Sequence, residues 1–412
     1  MMVRDMPRLR VNTPLWLGRD SAARRARFPA LTRQLDVDVA VMGGGITGAA
    51  LAWRFADAGV RVALVEAARI GRGSTVASTA LLMQEPDSDL VELAERYGTR
   101  RAHRTWQLSI EATRDFVATL TRLRIKCDLV RRDSIYYAQE AEDVSRLREE
   151  HRRRTAAGVG GRWLEGDALR RAIGFDAPAG IRTAGNAQAD PFKACIGLMR
   201  AAERAGAGVF ERSPVHAIRS SSRGVLLTTP RGSIRADRVV VATGYATPYF
   251  KTLHARFKMF NTYVVATRPL RRSERRRIGP GAVMLWDMGR PYHYARWTPD
   301  HRLILGGADQ PAVPQRQRQQ AFTEGTRAVQ ARFERLYPGL EDIAIEWRWE
   351  GLFATTPDGL PYIGPHRRYP RQLFALGYGG NGMTFGFLAA RLLVEWYLGQ
   401  RSPDHALFGF SR

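Results

Sequence analysis

The sequence predicts an α/β fold in which a parallel sheet carries a nucleotide-binding turn. Residues 37–42 form an almost unbroken apolar run, which is typical of a parallel strand covered on both faces. A glycine-rich turn and a helical pattern over 46–58 follow at once. A second apolar run, 61–66, completes a βαβ pattern, and the run 238–242 ends in another glycine turn. The same sheet is therefore expected to resume far along the chain.

The first turn fits the G-x-G-x-x-G pattern of dinucleotide-binding units. Gly43 allows the tight turn, Gly45 lets the backbone approach a pyrophosphate, and Gly48 lets the helix pack closely on the strand. Ile46 and Thr47 open the helix, whose N-terminal N–H groups favour a phosphate.

Glu66 follows Gly48 by eighteen residues, where a carboxylate accepts hydrogen bonds from ribose hydroxyls. Together these features predict a nucleotide site, and a purely structural turn with a surface Glu66 is the alternative. The motif does not distinguish a nicotinamide cofactor from FAD.

Length and composition place further bounds on the protein. A chain of 412 residues exceeds one typical core, so we expect two lobes. No uninterrupted apolar stretch of about 18 residues occurs, and the first residues lack the apolar core of a signal peptide, so we expect a cytoplasmic protein without a transmembrane segment. With Cys127 and Cys195 as its two cysteines, the sequence excludes a disulfide framework and predicts no metal site.

The charge balance is strongly basic, with a formal net charge of +24 and a pI near 11. Attraction to nucleic acid, anionic lipid or an acidic substrate is one interpretation. The other is a general preference for arginine, which we favour because the basic clusters are scattered and lack interleaved stacking aromatics. We therefore expect no nucleic-acid partner, while peripheral contact with a membrane stays open.

Periodicity predicts the remaining elements after a basic, irregular arm over 1–35. Predicted helices span 90–123, about 141–155, 192–205, 315–337 and 385–396. The helix near 141–155 is rich in arginine and is expected to be solvated. Predicted strands span 127–129, 134–138, 208–211, 214–219, 224–229, 233–235, 263–267, 282–286, 292–297, 303–307, 346–353 and 373–376.

A second glycine cluster precedes the last helix. Gly379, Gly380 and Gly382 allow the backbone to approach a flat group, and the helix N-terminus offers partial positive charge. A reduced flavin needs that charge at N1 and the C2 carbonyl, where negative charge gathers as hydride reaches N5. The alternative is a glycine-rich turn before a core helix.

Both ends of the chain together resemble the D-amino-acid oxidase superfamily of FAD-dependent amine oxidoreductases, nearest in pattern to γ-glutamylputrescine oxidase-like members. The segments that carry the resemblance are VAVMGGGITGAALA with Glu66, RIGRGSTVAS, VVVATGY, DGLPYIGP and FALGYGGNGMTFG. It implies a Rossmann-like FAD-binding domain that is discontinuous in sequence, and a substrate domain built on a mixed β-sheet. The expected division assigns 36–85, 188–249 and 356–412 to the FAD-binding domain, and 86–187 and 250–355 to the substrate domain.

The resemblance also implies which residues hold FAD. The glycines of the first turn would hold the pyrophosphate and Glu66 the ribose, while the backbone of Val215 would meet adenine. The other implied cofactor-binding positions, along the phosphates and the flavin ring, are Ile46, Thr47, Arg69, Ser74, Ser78, Gly244, Gly380, Asn381, Gly382, Met383 and Thr384.

Two departures from the family pattern bear on chemistry. Glycine oxidase-like members carry an arginine before D-G-x-P-Y-I-G that clamps the carboxylate of an amino acid. This sequence has Gly-Leu-Phe-Ala at 351–354, and an aromatic ring cannot replace the guanidinium fork. Sarcosine oxidase-like members attach FAD through a cysteine in this region, but no cysteine follows Cys195. We therefore expect noncovalent FAD.

The resulting hypothesis is oxidation of a small amine beside its nitrogen, with hydride transfer to flavin N5, imine hydrolysis, and reoxidation by O2 or another acceptor. Tyr294 and His293 are candidate polar groups of the pocket, Arg296 a candidate anchor for an acidic tail, and Lys258 a candidate promoter of O2 reactivity. Each has an ordinary structural alternative. Two other classes are an FAD-dependent tRNA-modifying enzyme and a membrane-docked amino acid dehydrogenase that feeds quinone.

Overall fold

The computed structural model describes residues 9–18, 22–278, 283–338 and 340–412. The strands are β1 (Arg10–Val11), β2 (Gln34–Met42), β3 (Val62–Val65), β4 (Leu81–Leu82), β5 (Val130–Tyr137), β6 (Arg162–Leu164), β7 (Gly180–Gln188), β8 (Gly208–Phe210), β9 (Ala217–Ser221), β10 (Gly224–Thr228), β11 (Ser233–Gly244), β12 (Lys258–Thr267), β13 (Val283–Asp287), β14 (Tyr294–Trp297), β15 (Leu303–Pro311), β16 (Ile345–Thr355), β17 (Tyr362–His366) and β18 (Tyr369–Leu376).

The helices vary from single turns to more than six turns. They are α1 (Leu15–Gly18), α2 (Ala22–Arg25), α3 (Ile46–Asp57), α4 (Ser74–Ala77), α5 (Leu90–Tyr97), α6 (Thr99–Arg122), α7 (Val144–Ala156), α8 (Gly166–Ile173), α9 (Pro191–Arg204), α10 (Arg272–Ile278), α11 (Arg318–Leu336), α12 (Gly382–Tyr397) and α13 (Asp404–Leu407). None of the helices in the described ranges combines the length and apolar character needed to cross a membrane.

The first sheet has eight strands, ordered β17-β18-β11-β2-β3-β8, and the β9-β10 hairpin extends from β11. Its centre is parallel, because β2 pairs in parallel with β3 and β11, and β11 with β18. Helices α3, α9 and α12 pack together on one face. The other face is covered by a cluster that includes Leu227, Leu253 and Phe374. Cover on both faces explains the unbroken apolar runs in these strands.

The second sheet has ten strands, ordered β1-β16-β12-β15-β14-β13-β5-β7-β4, with β6 beside β7. The sheet is mixed, because β13 and β5 pair in parallel, whereas the other strand pairs of the sheet, such as β12 with β15 and β12 with β16, are antiparallel. Helix α11 packs on this sheet, where Phe322, Val329 and Phe333 join Tyr263 and Leu305 in one buried cluster. The predicted fold class, with a parallel nucleotide-binding sheet and a second mixed sheet, is confirmed.

Several predicted boundaries were wrong for local reasons. The helix predicted over 90–123 is two helices, because Gly98 adopts a left-handed φ of 79° between them. Residues 127–129 precede a strand rather than form one, since Asp128 has a φ of 53°. The two strands predicted at 233–235 and 238–242 are one strand, and β17 was missed.

The basic N-terminal arm is also less irregular than expected, and part of it is buried. The predicted irregular arm contains α1, where Leu15, Trp16 and Leu17 are buried. Residues 1–8 of that arm, and residue 282 at the predicted start of β13, lie outside the described residues.

Sheet membership differs from the expected domain segments in two short strands. Both β1 from the arm and β4 from the 36–85 segment pair in the second sheet. The proposed domain boundaries themselves stay a prediction.

A buried ion pair holds the start of α5 against α7. Glu150 accepts hydrogen bonds from the backbone N–H groups of Leu90 and Val91, each at 3.0 Å, and from Arg154 Nε at 2.7 Å. Both charged side chains are fully buried, and the Arg154 guanidinium lies over the ring of Trp106, 4.6 Å from its centroid. The pair therefore fixes the chain shortly after residues 85–87, which line the cavity described below.

We expect Glu150→Ala to lower the free energy of unfolding by about 3–5 kcal/mol, because it leaves a buried guanidinium without its carboxylate. Glu149→Ala is the matched control, since Glu149 pairs with Arg152 and Arg153 nearer the surface, and should cost no more than about 1 kcal/mol. Chemical denaturation followed by circular dichroism measures both. Equal losses in the two variants would contradict the anchoring role.

Candidate functional site

A large cavity lies between the two sheets. Its wall on the first-sheet side includes the turn after β2, the end of β3, the end of β11 and the glycine cluster before α12. Its wall on the second-sheet side includes Thr262 of β12, Trp286 of β13, Tyr294 of β14, Asp309 of β15 and Phe353 of β16. The cavity is therefore continuous from the dinucleotide turn to a group of aromatic and acidic side chains.

The dinucleotide turn is held by very close backbone contacts. A Cβ at Gly48 would lie 1.8 Å from the carbonyl oxygen of Gly43, and Gly43 itself has a φ of 112° and faces the Ala242 carbonyl. Helix α3 thus packs against the turn as closely as backbone permits. The N–H of Ile46 donates to Thr75 Oγ1 at 3.0 Å, so α4 also supports the start of α3.

The carboxylate of Glu66 sits at the end of β3 beside this turn. It accepts the N–H groups of Gly44 and Ala68, each at 2.8 Å, and burial raises its pKa while these hydrogen bonds oppose the rise. The site fits FAD on three counts. A glycine cradle opens onto a helix N-terminus, an acidic side chain follows the second strand, and the cavity extends to a second sheet.

Most of the expected cofactor-binding residues lie in the cavity wall. These are Gly43, Gly45, Ile46, Thr47, Glu66, Arg69, Ser74, Ser78, Val215, Gly244, Gly380, Asn381, Gly382 and Met383. Gly48 lies behind the turn, where it permits the packing of α3. Thr384 is fully buried in α12, outside the cavity wall, and its hydroxyl donates to the Met83 carbonyl at 2.7 Å. Contacts with FAD at these positions stay predictions.

The four candidate catalytic residues are not brought together. Tyr294 lines the cavity, and its hydroxyl lies 3.1 Å from Thr262 Oγ1. His293 points to the other side of the wall, with Nδ1 3.4 Å from the carboxylate of buried Asp287. Lys258 is exposed at the start of β12, outside the cavity wall.

Arg296, the candidate anchor for an acidic substrate tail, does not lie where it could meet a substrate. Its side chain is buried outside the cavity wall, donates to the Ala189 carbonyl at 2.8 Å, and lies over the ring of Trp16. Burial lowers its pKa to about 9. Arg296 shares one face of β14 with Tyr294, but it lies further along the strand, beyond the cavity, where the core encloses its side chain.

Sequence reasoning missed the two carboxylates of the pocket, Asp87 and Asp309. Asp87 accepts the N–H of Gly380 at 2.5 Å and the hydroxyl of Tyr292 at 3.4 Å. Burial raises the pKa of Asp87 to about 6, while both hydrogen bonds oppose the rise. Burial also raises the pKa of Asp309 to about 7, and the negative charge of Asp87 adds to that rise. Neither residue belongs to a motif, so periodicity gave no signal for them.

The second glycine cluster has a structural reason that the sequence did not reveal. A Cβ at Gly379 would lie 2.4 Å from Asp87 Oδ2, and a Cβ at Gly380 would lie 2.2 Å from the Tyr292 hydroxyl. These two glycines therefore make room for Asp87 and Tyr292. Gly382 differs, because its nearest neighbour would be Tyr378 Cβ at 3.7 Å.

We expect Gly48→Ala to abolish FAD retention, because the added Cβ must displace the backbone of the turn rather than a flexible side chain. Gly409→Ala is the control, since its Cβ would meet ordinary contacts at 3.6 Å and more. The flavin-to-protein absorbance ratio after purification measures the effect. A Gly48→Ala protein that keeps a full complement of FAD would overturn this account of the turn.

The raised aspartate pKa values predict a pH dependence of stability. Unfolded aspartates titrate near pH 4, so the folded apoprotein binds these protons more tightly than the unfolded chain. Their stabilising contribution is complete below about pH 4 and is lost as the pH rises through about 6 and 7. Asp309→Asn removes one such titration. We expect the Tm of the apoprotein to fall less between about pH 5 and pH 8 in this variant than in the wild type.

Thermal unfolding of the apoprotein in matched buffers measures this difference. Asp167→Asn is the control, because the side chain of Asp167 is 87% exposed and should leave the pH profile unchanged. Identical profiles for wild type and Asp309→Asn would show that Asp309 titrates as an ordinary aspartate.

The chain resembles known proteins over most of its length. The pattern that defines the DAO family, described as FAD dependent oxidoreductase, matches residues 38–396. The chain is 28% identical over 381 residues to gamma-glutamylputrescine oxidoreductase of Escherichia coli K12, covering 91% of this chain and 87% of that protein. It is 26% identical over 380 residues to glycine oxidase of Bacillus licheniformis, covering 88% and 93%.

Solved structures show the same fold. The crystal structure of glycine oxidase from Geobacillus kaustophilus matches with a TM-score of 0.76 at 23% identity, covering 92% of this chain and 99% of that one. L-proline dehydrogenase from P. horikoshii matches with a TM-score of 0.73 at 20% identity, covering 90% and 95%. Because the family pattern covers residues 38–396, which is most of the chain, this chain belongs to the DAO family of FAD-dependent oxidoreductases.

Proposed function

We propose that the protein oxidises the C–N bond of a small amine or amino-acid derivative. The observation that carries this proposal is the continuous cavity, which joins the dinucleotide turn to a pocket of aromatic and acidic side chains. A cofactor of the length of FAD would reach from the first feature to the second. Its reactive ring would then lie between the glycine cluster and the second sheet.

FAD, when bound, supplies a hydride acceptor. The glycine turn and the N-terminus of α3 would hold its pyrophosphate, and Glu66 its ribose. The backbone from Gly380 to Met383, at the start of α12, would border its ring. FAD would be held noncovalently, because the thiols of Cys127 and Cys195 are buried outside the cavity wall.

The residues of the second sheet would prepare the substrate. An amine donates its nitrogen lone pair as hydride leaves the neighbouring carbon, so the ammonium form must first lose a proton. Asp309, with a pKa raised to about 7, lines the cavity and is a suitable acceptor for that proton. Loss of that proton gives the neutral amine, and loss of the hydride then gives a protonated imine, which water hydrolyses.

The electron acceptor of the proposed reaction is O2 or another oxidant, and we propose a cytoplasmic location. The first-sheet segments would form the FAD-binding domain and the second-sheet segments the substrate domain. No specific feature of the described residues favours the tRNA-modifying or quinone-linked alternatives. The basic surface alone fits many partners.

We expect the purified protein to show oxidised-flavin absorption bands that acid releases and that one or more amines bleach without oxygen. A suitable panel contains putrescine, γ-glutamylputrescine, sarcosine, glycine, D-alanine and proline. Absorption spectra before and after anaerobic mixing measure the reaction. A flavoprotein that no member of a broadened amine panel reduces would contradict amine oxidation while leaving the family assignment intact.

A further inference from the structure

A pocket of two carboxylates and three aromatic rings occupies the second-sheet side of the cavity. Its members, here called the acid–aromatic pocket, are Asp87, Asp309, Trp286, Tyr292 and Tyr294. They come from the segment after β4 and from the neighbouring strands β13, β14 and β15 with the turn that precedes β14. The fold therefore builds this pocket from parts of the chain that are about 200 residues apart.

Asp87 is held in a fixed position. Oδ2 accepts the N–H of Gly380, and Oδ1 faces the Tyr292 hydroxyl. Side chains at positions 379 and 380 would collide with this arrangement, so the two glycines keep space for a carboxylate and a phenol. The carboxylate is partly accessible from the cavity, where a ligand would meet it.

Asp309 is less fully bonded than Asp87. It lines the cavity, a hydrogen bond with the Thr262 side chain opposes the rise in its pKa, and its Oδ1 is buried without a hydrogen-bond partner. A buried carboxylate oxygen without a donor is unfavourable unless a ligand supplies one. The Nε1 of Trp286, a side chain only 6% exposed in the same wall, is also without a partner. Asp309 Oδ1 thus lacks a donor and Trp286 Nε1 lacks an acceptor in the protein itself, and the carboxylate oxygen is the group that an ammonium N–H can satisfy.

The charged side chains around the pocket are mainly acidic. Among the described residues that form the cavity wall, the basic side chain is Arg69, whose Nε lies 2.8 Å from Glu211 on the nucleotide side. Arg290 approaches Asp87 from outside the wall, but its guanidinium lies 3.3 Å from Glu92. His293 approaches Asp309 from behind and pairs with Asp287. A substrate carboxylate would therefore find no basic side chain in the second-sheet part of the described wall.

The aromatic rings are arranged as a cation-binding wall. The centroids of Trp286 and Tyr292 lie 6.4 Å apart with nearly perpendicular rings, and those of Tyr292 and Tyr294 lie 5.9 Å apart. Tyr136 stacks behind Trp286 at 3.9 Å and fixes its orientation. Aromatic faces attract cations, and alkylammonium ions bind well where such faces adjoin carboxylates.

We propose that the acid–aromatic pocket binds the ammonium group of a cationic alkylamine or diamine whose reacting carbon bears no carboxylate. The inference rests on the proposed function and narrows its substrate class. An α-amino acid would place its carboxylate among Asp87, Asp309 and the electron-rich faces of the rings, where like charges repel. An alkylamine has no such group and supplies N–H donors that the unpartnered oxygen of Asp309 needs.

The test is a binding titration of the FAD-loaded protein, followed through the flavin absorption spectrum. Tetramethylammonium and acetate are the two probes, because neither is an oxidisable amine and each carries one of the competing charges. Tetramethylammonium has no N–H group, so it tests the charge preference of the pocket and not the hydrogen bond to Asp309. We expect the wild type to bind tetramethylammonium with the lower Kd. Tighter binding of acetate than of tetramethylammonium would overturn the proposal.

Variants locate the site. Asp309→Asn should raise the Kd for tetramethylammonium by roughly 30-fold or more, because it removes a charge from a desolvated pair. Asp167→Asn, an exposed acidic position elsewhere, should leave that Kd unchanged. Should Asp309→Asn lose FAD, Phe353→Arg serves instead, since it adds a cation to the same wall and should reverse the preference toward acetate. A tetramethylammonium Kd that neither substitution changes would overturn the proposal.

Turnover separates this inference from the proposed function. Both the proposed function and the narrower substrate class are supported if putrescine or another carboxylate-free amine bleaches the flavin strongly, while glycine, sarcosine and D-alanine bleach it weakly. Efficient bleaching by those amino acids overturns the narrower substrate class and leaves amine oxidation standing. Cation binding without bleaching by any amine supports the pocket and contradicts the reaction.

Discussion

The contact between Gly43 and Gly48 is the constraint on which the cofactor half of the structure depends. With no room for even one Cβ between them, α3 starts directly above the end of β2 and its N-terminus faces the cavity. The ends of β3 and β11 lie beside the same turn because both strands run parallel to β2. Glu66 and Gly244 reach the cavity for this reason, and helix α9 secures the arrangement by packing against α3.

The second sheet is fixed to this unit through a short segment around α4. The Ser74 hydroxyl donates to the Leu352 carbonyl at 2.7 Å, and the indole N–H of Trp349 donates to the Ala77 carbonyl at 2.8 Å. The indole of Trp16 donates to the Ser78 carbonyl at 2.9 Å. One helical turn therefore supports the start of α3 on one side and joins β16 on the other. These bonds therefore hold the second sheet, with its acid–aromatic pocket, in a fixed position relative to the cofactor turn.

The cofactor half was predictable from sequence because its information is local. Gly43 and Glu66 lie within one βαβ unit, and steric limits on the turn dictate glycine whatever the rest of the chain does. The pocket half was not predictable, because Asp87 and Tyr292 lie 205 residues apart and meet through tertiary packing. Strand alternation puts Tyr294 and Arg296 on the same face of β14, but it does not show how far the cavity extends along that face, so Tyr294 lies in the wall and Arg296 in the core. The second glycine cluster was found from sequence, although its contacts with Asp87 and Tyr292 were not.

The basic exterior and the acidic pocket act at different ranges. The chain carries a net charge of +24, but many surface arginines are paired, as Arg104 is with Asp404 and Glu111. At physiological salt the Debye length is about 8 Å, so exposed charges beyond that range act weakly on a ligand inside the cavity. The carboxylates of Asp87 and Asp309 act in a poorly solvated wall, where charge interactions are stronger. A positive surface would slow the approach of a cationic amine in a salt-dependent way, whereas the pocket sets its affinity. The net charge therefore does not argue for an anionic substrate.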